Sequence, residues 1–131
     1  MYFCTIAYPT HGAPNNYIKN SLDRLSVSCR NKNCIEIIVK LDDYEDVSYY
    51  NDLLMNSGFP YKILCYAQQQ DLADAHYFHY DMFQISSGEM YWTLSDEILI
   101  SCDDFCSEIS KIIDLFDDGL YIHYVKSVKK K

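Results

Sequence analysis

The sequence predicts a three-layer α/β domain, a Rossmann-like and mostly parallel sheet between two layers of helices. Three observations point to it. Short runs rich in β-branched and aromatic residues recur along the chain, at 2–8, 35–41, 61–66 and 90–94. The intervals between them carry apolar residues at helical spacing. Turn and stop residues such as Pro9, Gly58 and Gly119 separate the two kinds of segment. Strands that alternate with helices of this length imply crossover connections and a parallel sheet.

Each element has its own reason. The run 2–8 is almost wholly apolar and stops at Pro9, as expected of a strand buried on both faces. A first helix opens at Pro14-Asn15-Asn16, with Ile18, Leu22, Leu25 and Cys29 on one face. The second strand, Ile35 to Leu41, ends in the acidic turn Asp42-Asp43. Val47, Tyr50 and Leu54 mark a second helix, for which Gly58 is a C-terminal stop. A third strand follows Pro60, and Ala75, Phe78, Met82 and Ile85 mark a third helix that ends near Ser87-Gly88. The fourth strand, Met90 to Leu94, again runs into polar residues, Ser95-Asp96-Glu97. Ser101 is the expected cap of a last helix with Phe105, Ile109, Ile112 and Phe116 buried, and Leu120 to Val125 reads as a fifth strand.

Composition bounds the function. The chain has 131 residues and is 49% apolar, which suffices for one core, so residues 1–131 read as a single domain. A net charge of −8 argues against a nucleic-acid partner, because phosphate contacts need a basic face. The basic run at Lys126 and Lys129 to Lys131 reads as a solvated tail. Six cysteines contain no Cys-x-x-Cys, and Met1-Tyr2-Phe3-Cys4 has neither the basic nor the long apolar part of a secretion signal. Reduced thiols in a cytoplasmic protein are therefore expected, with Cys4 and Cys65 buried in strands. No apolar stretch approaches the ~20 residues of a membrane span.

Ligands of open parallel sheets bind beyond the carboxyl ends of the strands. The polar residues Pro9-Thr10-His11-Gly12, Asp42-Asp43 and Ser95-Asp96-Glu97 all follow strands, so the topology would gather them at one edge. Carboxylates gathered there repel one another unless a cation joins them. A hard divalent ion carrying phosphate oxygens suits such a set.

Tyr8-Pro9-Thr10, then Glu36-Ile37-Ile38-Val39-Lys40-Leu41-Asp42-Asp43, then Ser87-Gly88-Glu89-Met90-Tyr91-Trp92-Thr93-Leu94-Ser95-Asp96-Glu97 resemble, in order and spacing, the inverting GT-A glycosyltransferases of the family-two type. The resemblance covers residues 2 to about 100. It implies the strand order 3-2-1-4 and a nucleotide-sugar donor, a UDP-sugar being favoured. It places Pro9, Thr10, His11 and Asp43, with Asp42 as the alternative, against the nucleoside. Asp96 and Glu97 match the family's metal-binding Asp-x-Asp segment and would hold Mn²⁺ or Mg²⁺ on the diphosphate. Ser95 stands where many relatives have an acid, and Glu97 replaces an aspartate. Family members continue into a half that supplies the acceptor site and the catalytic base, so the chain is expected to be the nucleotide-binding half alone. No catalytic residue is assigned to it. A second subunit or a partner protein would then complete the acceptor site.

Other signals weigh less. His76 and His79 are spaced as a metal pair, but no third ligand accompanies them. Cys102 and Cys106 lie one turn apart without a neighbouring histidine base, which disfavours a nucleophile. A phosphoacceptor or nucleotidase would want a lysine or a Gly-rich phosphate loop at the strand ends. The expectation is a metal-dependent glycosyltransferase domain; the alternative is an inactive module of the same fold with a structural or interaction role.

Overall fold

The computed structural model describes residues 2–10, 16–43, 45–66, 72–94, 100 and 102–115, and at residues 16 and 72–77 the backbone alone. The elements run β1 (Tyr2–Pro9), α1 (Asn16–Ser28), β2 (Ile35–Asp42), α2 (Val47–Ser57), β3 (Tyr61–Tyr66), α3 (Leu72–Ile85), β4 (Gly88–Thr93) and α4 (Phe105–Asp114). A short 3-10 turn, Lys32–Cys34, leads into β2. The strands form one sheet in the order β3-β2-β1-β4, with every neighbouring pair parallel. The predicted α/β class and strand order are both found.

The two faces of the sheet are unlike. On one, Cys4, Ile6 and Tyr8 of β1 and Ile35, Ile37, Val39 and Leu41 of β2 pack against α1, α2 and α4. The predicted stripe of α1 is buried in full, Ile18, Leu22 and Leu25 almost completely and Cys29 nearly so. Each such side chain contributes about 1.5–3 kcal/mol. Trp92 stacks on Phe105 at 5.9 Å and seats α4, while the Tyr8 hydroxyl meets the Ser21 hydroxyl at 2.8 Å and ties α1 to β1. On the other face, among the described residues, Ala7, Ile38, Phe78 and Met82 form the buried cluster, beneath α3. The β2 residues of that face are Glu36, Ile38, Lys40 and Asp42, all buried, three of them charged.

Helix ends follow local chemistry. Asp46 caps α2 by accepting from the Tyr49 N–H, and Gly58 closes it with φ +82°, a left-handed conformation that glycine adopts without strain. Asp104, not Ser101, caps α4, accepting from the Ser107 N–H. Ser101 lies outside the described residues, and an aspartate three residues before Ser107 meets the same geometric need. The helix closes at Leu115, short of Gly119, and Ile113 rather than Ile112 packs on the core beside Ile109. Val47 is exposed, so the buried face of α2 is carried by Tyr50 and Leu54, with Leu53 beside them. Cys65 is exposed because β3 is an edge strand, whereas Cys4 in an inner strand is fully buried. Phe116 and the fifth strand expected at 120–125 lie outside the described residues. No helix among the described residues is long and apolar enough to cross a membrane.

Candidate functional site

The parallel sheet has two polar ends. At the amino end Glu36, 2% exposed, is held from three directions. The Thr5 hydroxyl donates to its Oε1 at 2.9 Å, and the Ser87 N–H donates to the same oxygen at 2.9 Å. Lys62 Nζ lies 3.0 Å from Oε2. Thr5 in turn accepts from the Gly88 N–H at 2.9 Å. All four strands are laced together here, and the closeness of β4 to β1 explains the glycine. A Cβ at position 88 would stand 2.5 Å from the Thr5 nitrogen. Glu36, Ser87 and Gly88 are thus fixed by the fold, at the end of the sheet away from the expected ligand.

At the carboxyl end the predicted residues of β1 and β2 meet. Pro9 is the register partner of Lys40, and the N–H of Thr10 donates to the Lys40 carbonyl at 3.0 Å. The Thr10 hydroxyl has two acceptors in reach, that carbonyl at 2.8 Å and Glu45 Oε2 at 2.5 Å. Glu45 Oε2 also accepts from the Asp42 N–H at 2.7 Å. Lys40 is wholly buried. Its ammonium donates to the Thr10 carbonyl at 2.5 Å and to Asp42 Oδ1 at 3.0 Å, and it stands 4.4 Å from the centre of the Phe78 ring. A buried lysine survives when a carboxylate, a carbonyl and an aromatic face replace its water. The fourth acid of the turn, Asp46, caps α2.

Asp43 is different. It is exposed and makes no hydrogen bond or ion pair with any described residue. Of the two aspartates expected near a nucleoside, Asp42 is tied to the fold and Asp43 faces solvent. Thr10 is joined to Asp42 through Glu45 and Lys40 but is only 1% exposed. At the edge, the Tyr66 hydroxyl donates to Asp81 of α3 and seals the end of β3; burial, then this acid, pushes its pKa up to about 12.

His11, Asp96 and Glu97 lie outside the described residues. His11 follows Thr10 in sequence, and Asp96 and Glu97 follow Leu94, whose N–H donates to the Ala7 carbonyl at 2.8 Å. Among the described residues no group of three or more His, Cys, Asp or Glu is arranged to hold a metal ion. His79 packs its ring against Phe78, with centroids 4.5 Å apart. Sequence reasoning missed Lys40 and Glu45. A lysine inside an apolar run that reads as an inner strand was the available signal, since such a charge must find a partner indoors.

No protein-family model and no curated protein matches the chain. Among solved structures it is similar to the glycosyltransferase TarS of S. aureus, with a TM-score of 0.67 and 16% sequence identity. The match covers 88% of this chain and 20% of that one, so the chain spans about a fifth of the length of TarS. The chain has a glycosyltransferase-like α/β fold.

Proposed function

We propose that the carboxyl edge of this sheet binds a nucleoside diphosphate sugar, UDP-linked by preference, as the donor for a sugar transfer. The observation that carries the reading is the sorting of the acidic turn: Asp42, Glu45 and Asp46 serve the fold, and Asp43 stands exposed in the same turn. Asp43 would accept from a base or ribose donor, with Pro9, Thr10 and His11 shaping the nucleoside side. Asp96 and Glu97 would hold Mn²⁺ or Mg²⁺, and the ion would offset the charge of the diphosphate. Residues 1–131 act as one nucleotide-sugar-binding domain in this reading, cytoplasmic, with a second subunit or partner protein completing the acceptor site. The fold likeness to TarS supports the class of ligand and leaves the sugar open.

Calorimetric titration with UDP and other nucleoside diphosphates, with and without Mn²⁺, tests it. Binding at least tenfold weaker in Asp43→Ala, and metal dependence lost in Asp96→Ala, are the expected results. A second reading, an inert scaffold, is favoured by the internal use of Thr10 and Asp42. If a folded wild-type chain binds no nucleotide, that reading replaces the first.

A further inference from the structure

Two of the six thiols meet although 77 residues separate them in sequence. Cys29, just past the end of α1, and Cys106, in the first turn of α4, have Sγ atoms 2.6 Å apart. Both also reach one acceptor, the Asn31 carbonyl, at 3.4 Å and 3.7 Å. The packing of α1 and α4 on the same face of the sheet brings them together. Cys29 is buried and Cys106 half-buried, so a reagent arriving from solvent meets Cys106 first. Cys29 lies six residues before the first residue of β2, at the amino edge of the sheet, the opposite end from Asp43.

We infer that Cys29 and Cys106 form a dithiol–disulfide redox site that takes a small-molecule disulfide, such as oxidised glutathione, as its oxidant and clamps α4 to α1. The Cys106 thiolate attacks one sulfur of the oxidant, forming a mixed disulfide and releasing one glutathione thiolate. Cys29 then gives up its proton and attacks the Cys106 sulfur. The Cys29–Cys106 bond forms, the second glutathione leaves as its thiolate, and two electrons have passed from the protein to the oxidant. Burial and the hydrogen bond to Cys106 push the Cys29 thiol up to about 12, which keeps it protonated and leaves the first attack to Cys106; its own later attack is favoured by its being held beside the Cys106 sulfur. A crosslink across so long a loop removes much of the freedom of the unfolded chain, and a melting temperature higher by about 10 °C is expected.

The test uses the full chain, reduced and then equilibrated with graded ratios of reduced to oxidised glutathione. Free thiols are alkylated, the protein is digested, and linked peptides are read by mass spectrometry alongside the melting temperature. The expected result is a Cys29–Cys106 peptide that appears with the rise in melting temperature and disappears on reduction. Both should be lost in Cys106→Ser, whose reduced form should melt like the reduced parent. Three results overturn the inference: all six thiols alkylated at the most oxidising ratio, a glutathione adduct that persists on Cys106, or a link from Cys106 to Cys4, Cys34 or Cys102. Because the wild type is read directly, a variant that failed to fold would not shelter the idea.

Discussion

The two ends of the sheet use the same materials differently. Each has a buried carboxylate, a lysine, a threonine hydroxyl and backbone N–H groups. At the amino end the network joins β1, β2 and β4 and closes on Lys62 of β3, so its polar groups are used in holding strands together. At the carboxyl end the network joins β1 to β2 and to the turn that follows, and Asp43 is left facing water. A polar residue at a strand end is therefore not yet a site. What makes one is the direction of the strand and a group the fold has not used.

The largest expected effect is at Lys40. Lys40→Met leaves the buried Asp42 carboxylate without its cation, and a loss of about 3–5 kcal/mol in unfolding free energy is expected. The double variant Lys40→Met with Asp42→Leu should recover most of that loss, because no charge is then stranded. Denaturant titration of the three proteins reads the coupling. A double variant as unstable as the single would mean that the pair does more than neutralise itself.

Gly88→Ala comes next and belongs to the amino end. Its methyl would meet the backbone of β1, which cannot swing aside as a side chain can. About 3 kcal/mol of destabilisation is expected, at the top of the range for overpacking. Nucleotide affinity, measured where the variant is still folded, should be unchanged. A loss of affinity without a loss of stability would break the division between the two ends.

Alkali reads the amino half of the core through Cys4. Burial pushes its thiol from 9.0 up to about 12. The unfolded thiol ionises near 9, while the folded one stays protonated, so this contribution is complete below pH 9 and is lost between pH 9 and 12. Stability should fall across that window, and Cys4→Ala, though less stable at neutral pH, should show a flatter fall. An equal slope in both proteins would assign the alkaline sensitivity to other groups, Cys29 first among them.

These contrasts show what was legible in the sequence. Periodicity is a local signal, and it located four strands and four helices because each buries a face whose spacing survives in one dimension. The order of the strands came with the resemblance, whose motifs at 36–43 and 87–94 encode packing more than ligand contact: Glu36, Ser87 and Gly88 all serve the amino end. What was not legible depends on side chains meeting across the fold. The burial of Thr10, the partner of Lys40 and the contact of Cys29 with Cys106 need two segments at once. Asp104 could have been read as a cap from its spacing to Ser107, but Ser101 offered the same chemistry three residues earlier.

The smallest effect separates acids that the sequence shows side by side. Asp46 accepts from the Tyr49 N–H at 3.1 Å, so Asp46→Ala should cost about 1 kcal/mol, the usual loss of an N-terminal cap. Asp43 is three residues earlier in the same acidic turn and bonds to no described residue. Asp43→Ala should therefore change stability by less than about 0.5 kcal/mol, as exposed substitutions do. If Asp43→Ala costs as much as Asp46→Ala, all four acids of the turn belong to the fold. The carboxyl end would then be as closed as the amino end, and the argument for a ligand at Asp43 would fall with it.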